Sequence, residues 1–134
     1  MASSRVANKL PSQFGSILLA SAIGVNLNAG TNVDLQITLP DTPTKFRVRA
    51  IAVTNASINP TTARYAIWTA AGGTGTNIVT TVTPSMASSA VVTDLSIAST
   101  NAITGVGNLY LYLTTPQGAA ATVDVYIYAD ILTA

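Results

Sequence analysis

Apolar and polar residues alternate along much of the chain. Val33, Leu35, Ile37 and Leu39 are spaced by Asp34, Gln36 and Thr38, the two-residue period of a strand with one face buried and the other wet. Pro40-Asp41-Thr42-Pro43 ends this run, because proline gives no amide to a ladder and aspartate favours turns. Phe46, Val48, Ala50 and Ala52 then alternate with Arg47, Arg49, Ile51 and Val53. The first half of that strand has a charged face and the second half is apolar on both faces, as expected of a strand that starts at a rim and ends under cover. Strands are also predicted over 64–69, 78–82, 91–98 and 109–115. The clearest is 122–132, where Val123, Val125, Ile127, Ala129 and Ile131 face one way and Asp124, Tyr126, Tyr128 and Asp130 the other.

The punctuation between these runs is that of turns. Gly72-Gly73-Thr74-Gly75 permits the positive φ that a tight or bulged hairpin needs. Asn55 to Pro60 reads as a loop, and Pro84 to Ala90 as a place for one helical turn, with the proline near its start. With the apolar run Ile17–Ile23 as a first strand, about eight short strands follow one another with turn signals between them. No 10–15-residue helical pattern separates them, so a parallel α/β fold is excluded. The fold class expected is all-β: a two-sheet antiparallel sandwich, most simply a jelly roll.

Residues 1–15 are Ser-rich and broken by Pro11 and Gly15. They hold too little apolar surface to fold alone and are expected to form an extended N-terminal arm, with residues 16–134 as a single domain. Arg5 and Lys9 ahead of Ile17–Ile23 also have the outline of a short signal peptide, but Pro11 to Gly15 separates the charges from the run. The arm is the preferred reading.

Composition narrows the function. The chain has 134 residues, 8% of them charged and 49% hydrophobic, with a net charge of +1. Ordinary soluble domains carry about 25% charged residues. A Thr-, Ser-, Asn- and Ala-rich surface suits a protein that spends its life docked against neighbours. Six basic against five acidic residues make no field for nucleic acid, so direct nucleic-acid binding is not expected. No run approaches the roughly 20 apolar residues of a membrane-spanning helix, and no membrane partner is expected.

The chemical inventory is short. Histidine, cysteine and glutamate are absent, which removes the commonest general acid–base group and both disulfide and thiolate-metal chemistry. Asp124 and Asp130 share a strand face, but at about 3.4 Å per residue they lie roughly 20 Å apart, too far for a glycosidase pair. Asp41 is a solitary calcium-ligand candidate and reads better as a turn former. The Gly72–Gly75 loop lacks the lysine of a phosphate loop. Asn55-Ala56-Ser57 fits the glycosylation pattern and reads as a turn. No catalytic residue, cofactor or metal is therefore expected, and the chain is not expected to be an enzyme.

Recognition features remain. Lys45, Arg47 and Arg49 share one strand face and, with Arg64, form the one basic cluster, either paired to Asp124 and Asp130 or free to dock on an acidic partner. Tyr110, Tyr112, Tyr126 and Tyr128 supply an aromatic stripe on two strands whose rings would meet if those strands pair. Trp68 reads as a core or interface anchor. Together with Arg5, Lys9 and Phe14 of the arm, the residues Arg47, Arg49, Trp68, Tyr110, Tyr112, Tyr126 and Tyr128 are the expected interface set.

Two stretches carry a family likeness. Arg47 to Ser57 followed by Thr62 to Gly73, and Asn108 to Leu111 followed by Thr115 to Val125, resemble segments of small structural proteins of tailed bacteriophages, over roughly residues 33–132. The resemblance implies a capsid decoration or cement protein on a β-sandwich or jelly-roll core. Such a protein would bind the major capsid protein on the outer shell, associate with itself as a dimer or trimer, and be made in the host cytoplasm before joining the virion. The other readings are a different virion part, such as a head-fibre base or tail protein, and a carbohydrate-binding sandwich. An arm that orders on docking can wrap a large surface. Deleting residues 1–15 is therefore expected to leave the domain folded by circular dichroism while abolishing shell attachment in co-sedimentation. Full attachment of the truncated chain would rule the arm out as the contact.

Overall fold

The structure, a computed structural model, describes residues 17–40 and 43–133. The predicted arm, with Arg5, Lys9 and Phe14, and the turn residue Asp41 lie outside the described residues. Within them are nine strands: β1 (Ile17–Asn26), β2 (Val33–Thr38), β3 (Lys45–Thr54), β4 (Arg64–Ala70), β5 (Thr74–Val82), β6 (Thr93–Leu95), β7 (Ile103–Thr104), β8 (Asn108–Thr115) and β9 (Thr122–Thr133). There is no helix among them. The strands make two antiparallel sheets packed face to face. One has the order β1-β9-β3-β6 with β7 also on β3, and the other the order β2-β8-β4-β5.

The core is the sum of the inward-facing sets. Leu109, Leu111 and Leu113 of β8 and Val123, Val125 and Ile127 of β9 meet Phe46, Ile51, Ile67 and Ile78 between the sheets, all fully or almost fully buried. Each large aliphatic or aromatic side chain so buried contributes about 1.5–3 kcal/mol. The alternation in 33–39, 109–115 and 122–132 is realised as read. The Gly72–Gly75 segment closes the β4–β5 hairpin, where Ala70 pairs with Thr74. Gly75 has φ +78°, and a Cβ there would lie 2.5 Å from Thr69 Oγ1, so no other residue fits without displacing the strand.

Three sequence expectations fail locally, each for a physical reason. The first concerns β3. Ala50 and Ala52 do not share the face of Phe46 and Val48. Tyr128 pairs with Ala50 and the next residue, Ala129, with Val48, so Arg49 is an extra residue in a β-bulge. One extra residue swaps the two faces. The swap sends Ile51 and Val53 to the core and the smaller alanines outward. The second concerns 84–90, which makes no helical turn. The Met86 amide donates to Asn59 Oδ1 at 2.9 Å and the Met86 side chain is fully buried. A loop partner thus takes the amide, and the core takes the side chain. The third is the strand over 91–98, which shrinks to Thr93–Leu95. The Ala98 amide donates to the Ile78 carbonyl on the other sheet at 2.7 Å, so the chain is already leaving the first sheet there.

Tyr65 points into the core, fully buried, and its hydroxyl has no hydrogen-bond partner among the described residues. Burial pushes its pKa well above the ordinary value of about 10. The unfolded chain ionises Tyr65 first, so stability from this group is present below pH 10 and is lost as pH rises beyond it. An unpaired hydroxyl in the core also costs free energy. Tyr65→Phe is expected to unfold at the same or a higher denaturant midpoint, by up to about 1 kcal/mol, and to lose less stability above pH 10. A loss of more than about 1 kcal/mol at neutral pH would show that the hydroxyl is bonded after all.

Candidate functional site

The expected interface residues fall on two separate surfaces. Leu109, Leu111 and Leu113 point inward, so Tyr110 and Tyr112 point outward from the β2-β8-β4-β5 sheet. The same logic on β9 sends Tyr126 and Tyr128 outward from the other sheet. β8 and β9 do not pair. The four tyrosines therefore do not form one stripe; they make two pairs on opposite outer faces of the sandwich. The sequence could not reveal this, because an alternating pattern gives the face of a strand but not its neighbour.

On the β2-β8-β4-β5 sheet, Tyr110 lies opposite Trp68 and Tyr112 opposite Ala66. Trp68 is half-buried on this outer face and takes no part in the core. The tip of the β4–β5 hairpin bends over these rings. A Cβ on Gly73 would sit 3.4 Å from Tyr112 Cδ2 and Cε2 and 3.8 Å from Trp68 Nε1. The Gly72 amide donates to both carboxylate oxygens of Asp34, at 2.9 and 3.0 Å. Part of the aromatic surface is thus spent on holding the hairpin down. Beside it, the Gln36 side-chain amide donates to Asn108 Oδ1 at 3.0 Å, so amides flank Tyr110, while the carboxylate cross-strand from Tyr112 is that of Asp34.

On the β1-β9-β3-β6 sheet, Tyr128 lies between Leu18 and Ala50, and Tyr126 between Ser21 and Ala52. The basic cluster flanks them. Arg47 Nη2 donates to Asp130 Oδ2 at 2.7 Å, and Arg49 Nη1 donates to the same oxygen at 3.2 Å. Arg47 and Arg49 are 37% and 50% exposed at the side chain, so each link contributes about 0–1 kcal/mol. Their value is orientation: two guanidinium groups are held side by side on a single carboxylate. Arg64 lies on the other sheet and takes no part.

Asp124 does not pair with the arginines. It is buried, and it accepts hydrogen bonds from the Gly24 amide at 2.8 Å and from Asn55 Nδ2 at 3.0 Å. Asn55 has φ 56°, a conformation asparagine tolerates better than most residues, so the Asn55-Ala56-Ser57 segment is a turn with its amide nitrogen engaged. Sequence reading missed two further loop ties. Gln117 Oε1 accepts from the Thr62 and Ala63 amides, both at 2.9 Å. Asn59 Oδ1 accepts from Ser85 Oγ and from the Met86 amide. Side-chain amides within Pro- and Gly-punctuated loops are the signal that would have found them.

A shallow groove of about 240 Å³ runs between the edges of β5 and β6, lined in part by Val79, Val82, Pro84, Thr93 and Leu95. It falls below the roughly 300–1,000 Å³ of small-molecule sites. Among the described residues there is no group of three or more His, Cys, Asp or Glu placed to hold a metal ion. No helix there is long and apolar enough to cross a membrane. Comparison with protein families, with curated proteins and with solved structures finds no match to this chain.

Asp124 stitches the end of β3 to the bend in β1, so Asp124→Ala is expected to destabilise the domain by about 1–3 kcal/mol by removing two part-buried hydrogen bonds to a carboxylate. Chemical denaturation of the two proteins measures the difference. A change below about 0.5 kcal/mol would show that water replaces the carboxylate there.

Proposed function

We propose that this chain is a virion structural protein: a capsid decoration protein with a jelly-roll domain that binds the major capsid protein on the outer surface and stabilises the shell. The observation that carries this reading is the wrapping order of the strands. β1 pairs with β9, β2 with β8, β3 with β6 and β4 with β5. These are the rungs of one long hairpin whose tip is the Ala71–Gly73 turn. Rolling that hairpin lays β3 beside β9 and β4 beside β8, and it yields the orders 1-9-3-6 and 2-8-4-5. That order supports the jelly-roll reading, and jelly rolls build capsid and lectin domains.

The chemistry of the surface supports adhesion. Low charge leaves little desolvation to overcome on docking. Loops stitched by Gln117, Asn59 and Asp124 are ordered before contact, which lowers the entropic cost of binding. The likeness of 47–57, 62–73, 108–111 and 115–125 to phage structural segments points the same way. Each contact can be modest, because a shell presents the same site many times and repeated attachment multiplies the gain.

A second reading rests on Trp68 and Tyr110 as cross-strand neighbours with Tyr112 on the same outer face. Flat aromatic surfaces with adjacent amides, here Gln36 and Asn108, suit sugar rings. Quantitative mass spectrometry of the particles produced by the genome that encodes this chain separates the alternatives. The shell role expects a small whole-number ratio of this chain to the major capsid protein. A few copies per particle would indicate a fibre base or tail part. Absence from particles, with glycan binding that Trp68→Ala removes, would replace the shell role with the sugar-binding one.

A further inference from the structure

The outer face of the β1-β9-β3-β6 sheet is organised in a way that the shell role does not require. Its centre is two cross-strand rows, Leu18–Tyr128–Ala50 and Ser21–Tyr126–Ala52, with Asp94 continuing the second row on β6. No charge lies in either row until Asp94. Large apolar groups stay in water at its borders: Leu18 is 51% exposed, Ile23 66% and Leu132 51%. Single exposed apolar residues are ordinary, but a contiguous patch with two half-buried tyrosines marks a contact surface.

The two ends of this face carry opposite charge. At the start of β3, Arg47 and Arg49 share the single carboxylate of Asp130, and Lys45 precedes them on the same strand. At the other end, Asp94 is exposed and makes no salt bridge among the described residues, while Asp124 beyond it is buried and held by the Gly24 amide and Asn55. A surface with an uncharged middle and ends of opposite sign is complementary to itself when turned end for end.

We propose that this face is a homodimer interface: a second copy of the chain packs on it about a two-fold axis that crosses the strands between the Tyr126 and Tyr128 rows. The operation sets Tyr126 of each copy over Tyr128 of the other, where the rings stack with an offset. It sets the large Leu18 over the small Ser21, and Ala50 over Ala52. Asp94 of one copy then comes to the β3 bulge of the other, next to Arg49. The opposite choice, an axis along the strands, would stack the three cations of one copy on those of the other. That arrangement is disfavoured by like-charge repulsion.

The area lies at the low end of what specific contacts bury. Three strands of ten to twelve residues spaced by about 4.8 Å, with the three-residue β6 beside them, span on the order of 500 Å² before side-chain relief is counted. Stable interfaces bury about 800 Å² per partner. The contact is isologous, so it closes at two copies and leaves the aromatic face of the other sheet free. The dimer stands apart from the shell role. A monomer that still binds shells would remove only the dimer, and a dimer that binds none would remove only the shell role.

Sedimentation equilibrium of the full chain tests it. The expected mass is twice 13.7 kDa at about 100 µM, with Leu18→Lys raising the dissociation constant more than about tenfold. Arg49→Glu and Asp94→Arg are each expected to weaken the dimer by a similar factor, and the double reversal to return it to within about threefold of the parent. All three positions border solvent, so thermal melts near the parent's confirm that each variant is folded. Because the chain has no cysteine, a spin label on Ser21→Cys gives a second readout: labels in the two copies are expected within about 20 Å. A chain that is monomeric at about 100 µM, a dimer indifferent to Leu18→Lys, a double reversal without rescue, or labels much farther apart would each overturn the proposal.

Discussion

The molecule depends on keeping one face of every strand dry, and β9 shows how tightly that binds the rest. It lies between β1 and β3 and buries Val123, Val125, Ile127 and Ala129. A slip of one residue against either neighbour would turn those four side chains to water and bring Asp124, Tyr126 and Tyr128 into the core. Register is therefore held by burial. Where the residues of a neighbour do not fit the period, the chain inserts a bulge. Two shifts on the β1 side and two on the β3 side, one of them the extra residue at Arg49, are the places where this happens.

The bulge at Arg49 links fold and surface. It returns Ile51 and Val53 to the core, and it also places Ala50 and Ala52 outward beside the tyrosines. Its extra residue carries the guanidinium that joins Arg47 on Asp130. Bulges are features that re-aim side chains, and this one sets the low, uncharged centre of the sheet beside its basic end. The two outer faces of the sandwich consequently differ in kind. One is apolar with charged ends. The other holds Trp68, Tyr110 and Tyr112 among amides, under a hairpin tip fastened by Asp34.

The loops at the far end from Lys45 follow a different logic. A buried backbone amide needs a partner, and the strands have none to spare where the chain turns. Asp124, Gln117, Asn59 and Asn28 supply acceptors for amides in neighbouring loops. These residues look like ordinary loop formers in the sequence. Their partners are 27 to 100 positions away, so the local pattern marks them as loop residues but does not tell which amides they hold.

Much of the fold was legible in the residues alone, because side-chain alternation is a local property. The identity of the main strands, the inward sets of β2, β8 and β9, the glycine hairpin and the lack of histidine, cysteine and glutamate all come from reading along the chain. Which strands are neighbours does not, because backbone hydrogen bonds are the same for every sequence. Long-range packing alone decides that β8 and β9 belong to different sheets, and with it the separation of the four tyrosines. The phase change at Arg49, the loss of the helical turn at Pro84–Ala90 and the pairing of both arginines with Asp130 have the same cause. In each, a residue distant in sequence offered a better burial or a better hydrogen bond than the local pattern could.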